Sequence, residues 1–246
     1  MMGVLKVELT KLLKKASTRV FIILYTIILI GMSILYTVAE KIYDLSIYSG
    51  TQFVGASLGT MMAFLLPLMA VYLASSSQSI DFSRGTMKNM YLLPISRTKL
   101  FMSKIVAVQT ILGSVIIVHF VITLIVSFIV DGLTVVSIGA SLIDYLGAFL
   151  ILGLINTIGT IIALLVNNTG LAVILAYVGY IGLGILTIYV PSISGISLTT
   201  LINNYANFFS AGAITMLLST LAYYIILFIT GLLIFEKKEE SLCQFD

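Results

Sequence analysis

Charge is what this sequence has least of. Of its 246 residues, 13 are Lys or Arg and 10 are Asp or Glu, so only 9% are charged. A soluble domain carries about 25%. So few charges cannot clothe a water-soluble fold of this length, which excludes that class. A single cysteine, Cys243, excludes a disulfide framework. A single histidine, His119, excludes a multi-histidine metal site. A content of 60% hydrophobic residues excludes intrinsic disorder. No G-x-x-x-x-G-K-[ST] occurs, so the chain has no phosphate-cradling P-loop. H-E-x-x-H, G-x-S-x-G and a carboxylate pair within an apolar run are missing too, so no enzyme constellation is legible.

What is abundant is apolar run. A hydrocarbon core about 30 Å thick takes roughly 20 residues of helix. Six stretches reach that length: Val20–Val38, Phe53–Ala74, Ile105–Val130, Leu142–Val166, Leu171–Val190 and Ala211–Phe235. They are continuously apolar and do not alternate, which argues for helices and against a membrane barrel. Val20–Val38 is longer than a signal-peptide core and no A-x-A-like site follows it, so it reads as a span. The expectation is an all-α membrane protein with six transmembrane helices. Residues 1–19 form an amphipathic interfacial helix and residues 20–246 a single six-span domain.

The basic residues orient it. Lys6, Lys11, Lys14, Lys15 and Arg19 precede span 1. Arg84, Lys88, Arg97, Lys99 and Lys104 lie between spans 2 and 3, and Lys237 and Lys238 follow span 6. With alternating helices, 12 of the 13 basic residues share one side and Lys41 alone takes the other. The positive-inside rule makes that side the cytoplasm, with both termini in it.

Smaller features follow. In residues 4–18, Leu5, Leu9, Leu12, Leu13 and Ala16 share a helical face and the lysines spread over the rest. Such a helix belongs in the membrane interface, either as a plain anchor or as a brace for a cytoplasmic partner. Tyr36, Tyr43 and Tyr48 fit an interfacial aromatic belt. In residues 191–210, Leu198, Leu201, Ile202, Tyr205, Phe208 and Phe209 recur at helical spacing. They predict a short helix outside the membrane or re-entering it, and Leu198, Leu201, Tyr205 and Phe208 are candidates for an outer gate. A surface-lying helix without a gating role is the alternative. Asp131 and Asp144 lie near outer span ends, where a carboxylate reaches water. His119 lies mid-span without a second acid or base, which favours a neutral histidine hydrogen-bonded to a neighbouring helix. Asn156 reads as interhelical glue, Pro67 as a kink, and Gly55 with Gly59 as a close-approach motif.

Residues 75–105 carry most of the information. They are too polar for membrane and too short for a core of their own. Asp81, Arg84, Lys88, Arg97, Lys99 and Lys104 surround an apolar ridge of Met87, Met90, Tyr91, Leu92 and Leu93, the pattern of a protein contact patch. The order Asp81, Gly85-Thr86, Met90–Leu93, Pro94-Ile95-Ser96-Arg97, Ser103-Lys104 resembles the loop after span 2 of ABC-2 type permeases. Asp81 stands where that family often carries Glu. The six spans, the basic N-terminal helix and the outer helical segment extend the resemblance over the whole chain.

The resemblance implies a half-transporter. Its loop would hold a coupling helix seated on a separate ATPase subunit, with Asp81, Arg84, Gly85, Thr86 and Lys88 as contacts. Its N-terminal connector would lean on the same subunit through Lys6, Lys11, Lys14 and Lys15. A second permease chain, identical or related, would complete the pathway. ATP and Mg would bind the ATPase and not this chain, and nucleic acid would not be a partner. The expected setting is a bacterial plasma membrane. The resemblance extends to exporters of amphipathic peptides such as phenol-soluble modulins and to lantibiotic-immunity permeases. Export of drugs, lipids or sodium on the same architecture stays open, as does a non-transporting membrane scaffold or sensor.

Overall fold

A computed structural model describes residues 2–43, 52–83, 96–131, 135–166, 168–190, 192, 197–209 and 214–243. Among these the chain is helical and without strands. The helices are α1 (Met2–Lys14), α2 (Ala16–Ile42), α3 (Gln52–Ala63), α4 (Leu65–Ser83) and α5 (Arg97–Asp131). They continue with α6 (Val135–Val166), α7 (Thr169–Tyr189), α8 (Leu198–Asn203) and α9 (Ile214–Cys243), with a 3-10 turn over Tyr205–Asn207 between the last two. Five helices (α2, α5, α6, α7 and α9) are long and apolar enough to cross a membrane, and the bent pair α3–α4 passes the same test when the two are taken together, which gives five or six candidate spans.

α2 shows what solvent this bundle is built for. It buries Thr18, Tyr25, Leu29, Ser33 and Tyr36. It exposes Val20, Ile23, Leu24, Ile27, Ile30, Ile34 and Leu35. α5 repeats the pattern, with His119, Thr123 and Ser127 buried at four-residue spacing and Ile117, Val121, Ile125 and Phe128 exposed. Polar groups inside and aliphatic groups outside invert a water-soluble helix. That inversion is stable where lipid wets the outside, because interhelical packing and hydrogen bonds then hold the bundle.

α6 is the central post. In its most apolar stretch 61% of residues are buried, against 7% in α7. Its closest partner is α4. Gly159 allows this, since a Cβ there would stand 3.1 Å from both the Val71 Cα and the Ala74 Cβ. Asn156 Nδ2 donates to the Ile105 carbonyl at 3.0 Å, so its expected interhelical bond is present, toward α5.

The stretch expected to be the second span is broken. Pro67 has no N–H, so the Ala63 carbonyl loses its helical donor. The helix stops at Phe64, and its two halves meet at 48°. The Phe64 carbonyl accepts from the Leu68 N–H at 3.1 Å and from the Tyr177 hydroxyl of α7 at 2.7 Å. A neighbouring hydroxyl thus satisfies backbone at the break, which a lipid environment demands.

One expectation needs correction. Tyr36 does not join an aromatic belt. It is 4% exposed and stacks on Phe53, with ring centroids 4.1 Å apart. α2 turns its aliphatic residues outward, so a tyrosine on the opposite side faces protein. Tyr43 is exposed, and Tyr48 lies outside the described residues.

Candidate functional site

Leu100, Phe101, Leu164 and Phe235 form one buried cluster with Val4 packed against it. It marks the end of the bundle where most of the lysines gather. There α1 packs chiefly on α5, with further contacts to α2 and α4. Its leucine face is interrupted by Glu8, which shares a side with Leu5 and Leu12 and is 1% exposed. A carboxylate buried there needs cations. Among the described residues Glu8 has two: Lys11 Nζ at 3.2 Å from Oε1 and Lys104 Nζ at 3.7 Å from Oε2. Lys104, on α5, is itself 1% exposed and donates to the Ser77 carbonyl of α4 at 3.1 Å. Beside it Lys15 Nζ donates to Ser76 Oγ at 2.7 Å and stands 5.7 Å from the centre of the Tyr72 ring. The node therefore binds α1 to the last turns of α4 and the first turns of α5. Those two helices flank the sequence motif of residues 84–95.

Ser75 Oγ, Ser77 Oγ and both polar atoms of the Gln78 amide are buried beside the node, with no hydrogen-bond partner among the described residues.

A second polar cluster sits mid-bundle around His119. The Tyr25 hydroxyl lies 2.5 Å from His119 Nδ1, and Ser57 Oγ lies 3.2 Å from Nε2. Ser57 Oγ donates to the Val54 carbonyl at 3.0 Å, so it is free to accept from the ring. One arrangement satisfies every group: Nε2–H donates to Ser57, and bare Nδ1 accepts from Tyr25. Thr123 Oγ1 stands 3.2 Å from the Tyr145 hydroxyl, bringing α6 into the same cluster. The ring is thus a neutral link between α2, α3 and α5, as a histidine without a charged partner should be.

At the opposite end, α8 and the turn after it fold back into the bundle. Leu201, Tyr205 and Phe208 are buried in the main core. The backbone of Tyr205 lies directly on Gly147 of α6, where a Cβ would strike its carbonyl oxygen. A Cβ on Gly59 would stand 3.3 Å from the Tyr205 hydroxyl, and one on Gly55 would stand 4.0 Å from Asp144 Oδ2. The small residues of α3 therefore make room for this segment and for α6. Burial and the Asp144 carboxylate push the Tyr205 phenol up to about 12.

The residues singled out from sequence distribute unevenly. Arg84, Gly85, Thr86 and Lys88 lie outside the described residues. So does the Asp81 side chain, although its backbone is in the last turn of α4. Lys6 and Lys14 are exposed, while Lys11 and Lys15 turn partly toward the chain's own helices. Lys104 differs from expectation: it is buried on Glu8 and Ser77, not part of an exposed patch. Of the candidate gate residues, Leu201, Tyr205 and Phe208 come together against α6, and the Leu198 side chain lies outside the described residues. Glu8 was missed from sequence. Its signal was an acid on the leucine face of an otherwise basic helix.

A family model described as ABC-2 family transporter protein matches residues 4–184, most of the chain and all of the elements from α1 into α7. No curated protein matches it.

Proposed function

This chain belongs to the ABC-2 transporter family, and we propose that it is the membrane-spanning permease subunit of an ATP-driven exporter. A separate ATPase subunit binds ATP and Mg and supplies the power. Two permease chains, identical or related, and two ATPases make the working unit. Its setting is a bacterial plasma membrane with both termini in the cytoplasm.

The observation that carries this reading is the node at the lysine-rich end. A chain without a P-loop has its N-terminal helix tied to both helices that flank residues 84–95. A mechanical input at that loop reaches the spans directly. On this reading Asp81, Arg84, Gly85, Thr86 and Lys88 meet the ATPase, with Lys6 and Lys14 exposed on the connector beside them. ATP binding draws the ATPases together, the loops follow, and the spans rearrange to alternate access. Leu201, Tyr205 and Phe208 form part of the outer closure, together with Leu198.

The cargo proposed is an amphipathic peptide. Two clefts on the flank of the bundle support it. One, of about 140 Å³, lies between α4, α6 and α7 and includes Pro67, Ile155, Tyr177 and Tyr180. The other, of about 260 Å³, lies between α5 and α6 and includes Ile117, Phe120 and Leu146. Both are apolar and without fixed charge, suited to an apolar face and unsuited to a bare ion.

Purification from the native host in mild detergent tests the reading. A stoichiometric partner carrying a Walker A motif is expected, with ATP hydrolysis stimulated by an amphipathic helical peptide. Asp81→Lys and Gly85→Pro are expected to abolish export while leaving the chain folded and inserted. Recovery of the chain with no P-loop partner, or full export by both variants, sinks it.

A further inference from the structure

We propose that the buried Glu8–Lys104 pair is a strut that makes α1 and the two helices flanking residues 84–95 move as one body. The proposal rests on the permease reading for its purpose but not for its geometry.

Three observations carry it. First, Lys104 is shared: one ammonium meets Glu8 of α1 at 3.7 Å and the Ser77 carbonyl of α4 at 3.1 Å while belonging to α5. Three helices converge on one charge. Second, both charged residues are 1% exposed. Water does not screen them, and separating them strands a charge in a poor solvent, so the pair resists being pulled apart. Third, Lys15, directly after α1, donates to Ser76 Oγ at 2.7 Å, so the same end of α4 is held a second time from the α1 side. A load applied at residues 84–95 is then carried into α1, and from α1 through Lys15 back to Ser76. Lys104 and Glu8 are positioning residues, acting through the helices they join.

The test uses the full-length chain with Cys243→Ser, so that Leu12→Cys supplies the one thiol. Leu12 is 1% exposed on α1, and maleimide labelling in native membranes reads how firmly α1 is docked. Lys104→Met and Glu8→Gln are each expected to speed labelling by about tenfold or more. Lys104→Arg is expected to stay near the parent rate. The double variant Glu8→Gln with Lys104→Met is expected to label within about twofold of the single ones, because either change alone already removes the contact. If Lys104→Met fails to fold by gel filtration, Glu8→Gln and Lys104→Arg carry the measurement. Unchanged labelling in Glu8→Gln, or a double variant whose acceleration is the product of the two single ones, overturns the strut.

A second arm reads transmission. In the purified complex, stimulation of ATP hydrolysis by a designed Leu/Lys amphipathic helical peptide is expected to vanish in Glu8→Gln and to survive in Lys104→Arg. Stimulation that survives while labelling rises shows that α1 docks through the pair without transmitting anything, and overturns the role. Absence of an ATPase from the parent preparation defeats the permease reading alone, since labelling still decides the strut.

Discussion

Gly147→Leu is expected to lift the Leu198–Phe209 segment off the bundle. A Cβ at Gly147 would collide with the Tyr205 carbonyl oxygen and stand 3.2 Å from the Phe208 Cβ. The obstacle is backbone, which cannot rotate aside as a side chain tip does, so the segment must move as a whole. Leu201, Tyr205 and Phe208 then lose their burial, at about 1.5–3 kcal/mol for each large apolar side chain. The segment contains no Lys or Arg but several aromatic residues. Chymotrypsin is therefore the reagent, and new cleavage between residues 205 and 209 in detergent is the readout. Gly153→Ala is the matched control. Its Cβ would meet the Tyr224 hydroxyl at the far end of a side chain. That ring swings away, giving up its 2.6 Å bond to the Leu150 carbonyl, a loss of about 1 kcal/mol. The control should leave the cleavage pattern unchanged. A parental pattern in Gly147→Leu would mean the segment does not rest on α6.

His119→Ala should be the most destabilising change in the middle of the bundle. It removes a fully buried ring that links three helices, leaving a cavity and two hydroxyls without their partner. Truncations of that kind cost about 2–5 kcal/mol. For a chain of this size a loss of 3 kcal/mol lowers Tm by about 6–12 °C. Tyr25→Phe and Ser57→Ala each remove one hydrogen bond and leave the packing in place. Interhelical bonds of this sort average about 0.6 kcal/mol, so those two variants should melt within about 3 °C of the parent. Thermal unfolding in one detergent, followed by size-exclusion chromatography, compares all three. If His119→Ala melts with the parent yet alters transport, the ring belongs to the pathway and not to the scaffold.

Much of the architecture was legible in order along the chain. Six apolar runs appear as five long helices and one bent pair, because a helix crossing lipid must be continuously apolar, and that signal is local. Pro67 announced the break in the second span, since a missing N–H acts within one turn. Asn156 and the solitary His119 announced hydrogen bonds to neighbours, because the alternative is an unsatisfied group in hydrocarbon. Their partners were not legible. Tyr25 and Ser57 are 94 and 62 residues from His119, and hydroxyls of Tyr and Ser are too common in such sequences to stand out. Lys104 was read as exposed because charge is normally solvated. Only the approach of Glu8, 96 residues earlier, reverses that.

The sequence by itself determined the solvent, the order of the apolar helices and the family. Each of these depends on composition or on motifs within a few dozen residues. Tertiary structure alone decided which charges are buried, that α6 is the central post, and that residues 198–209 fold inward upon Gly147. Those outcomes depend on pairs far apart in the chain. A buried carboxylate or a bare glycine acquires meaning only from the atom that comes to lie against it.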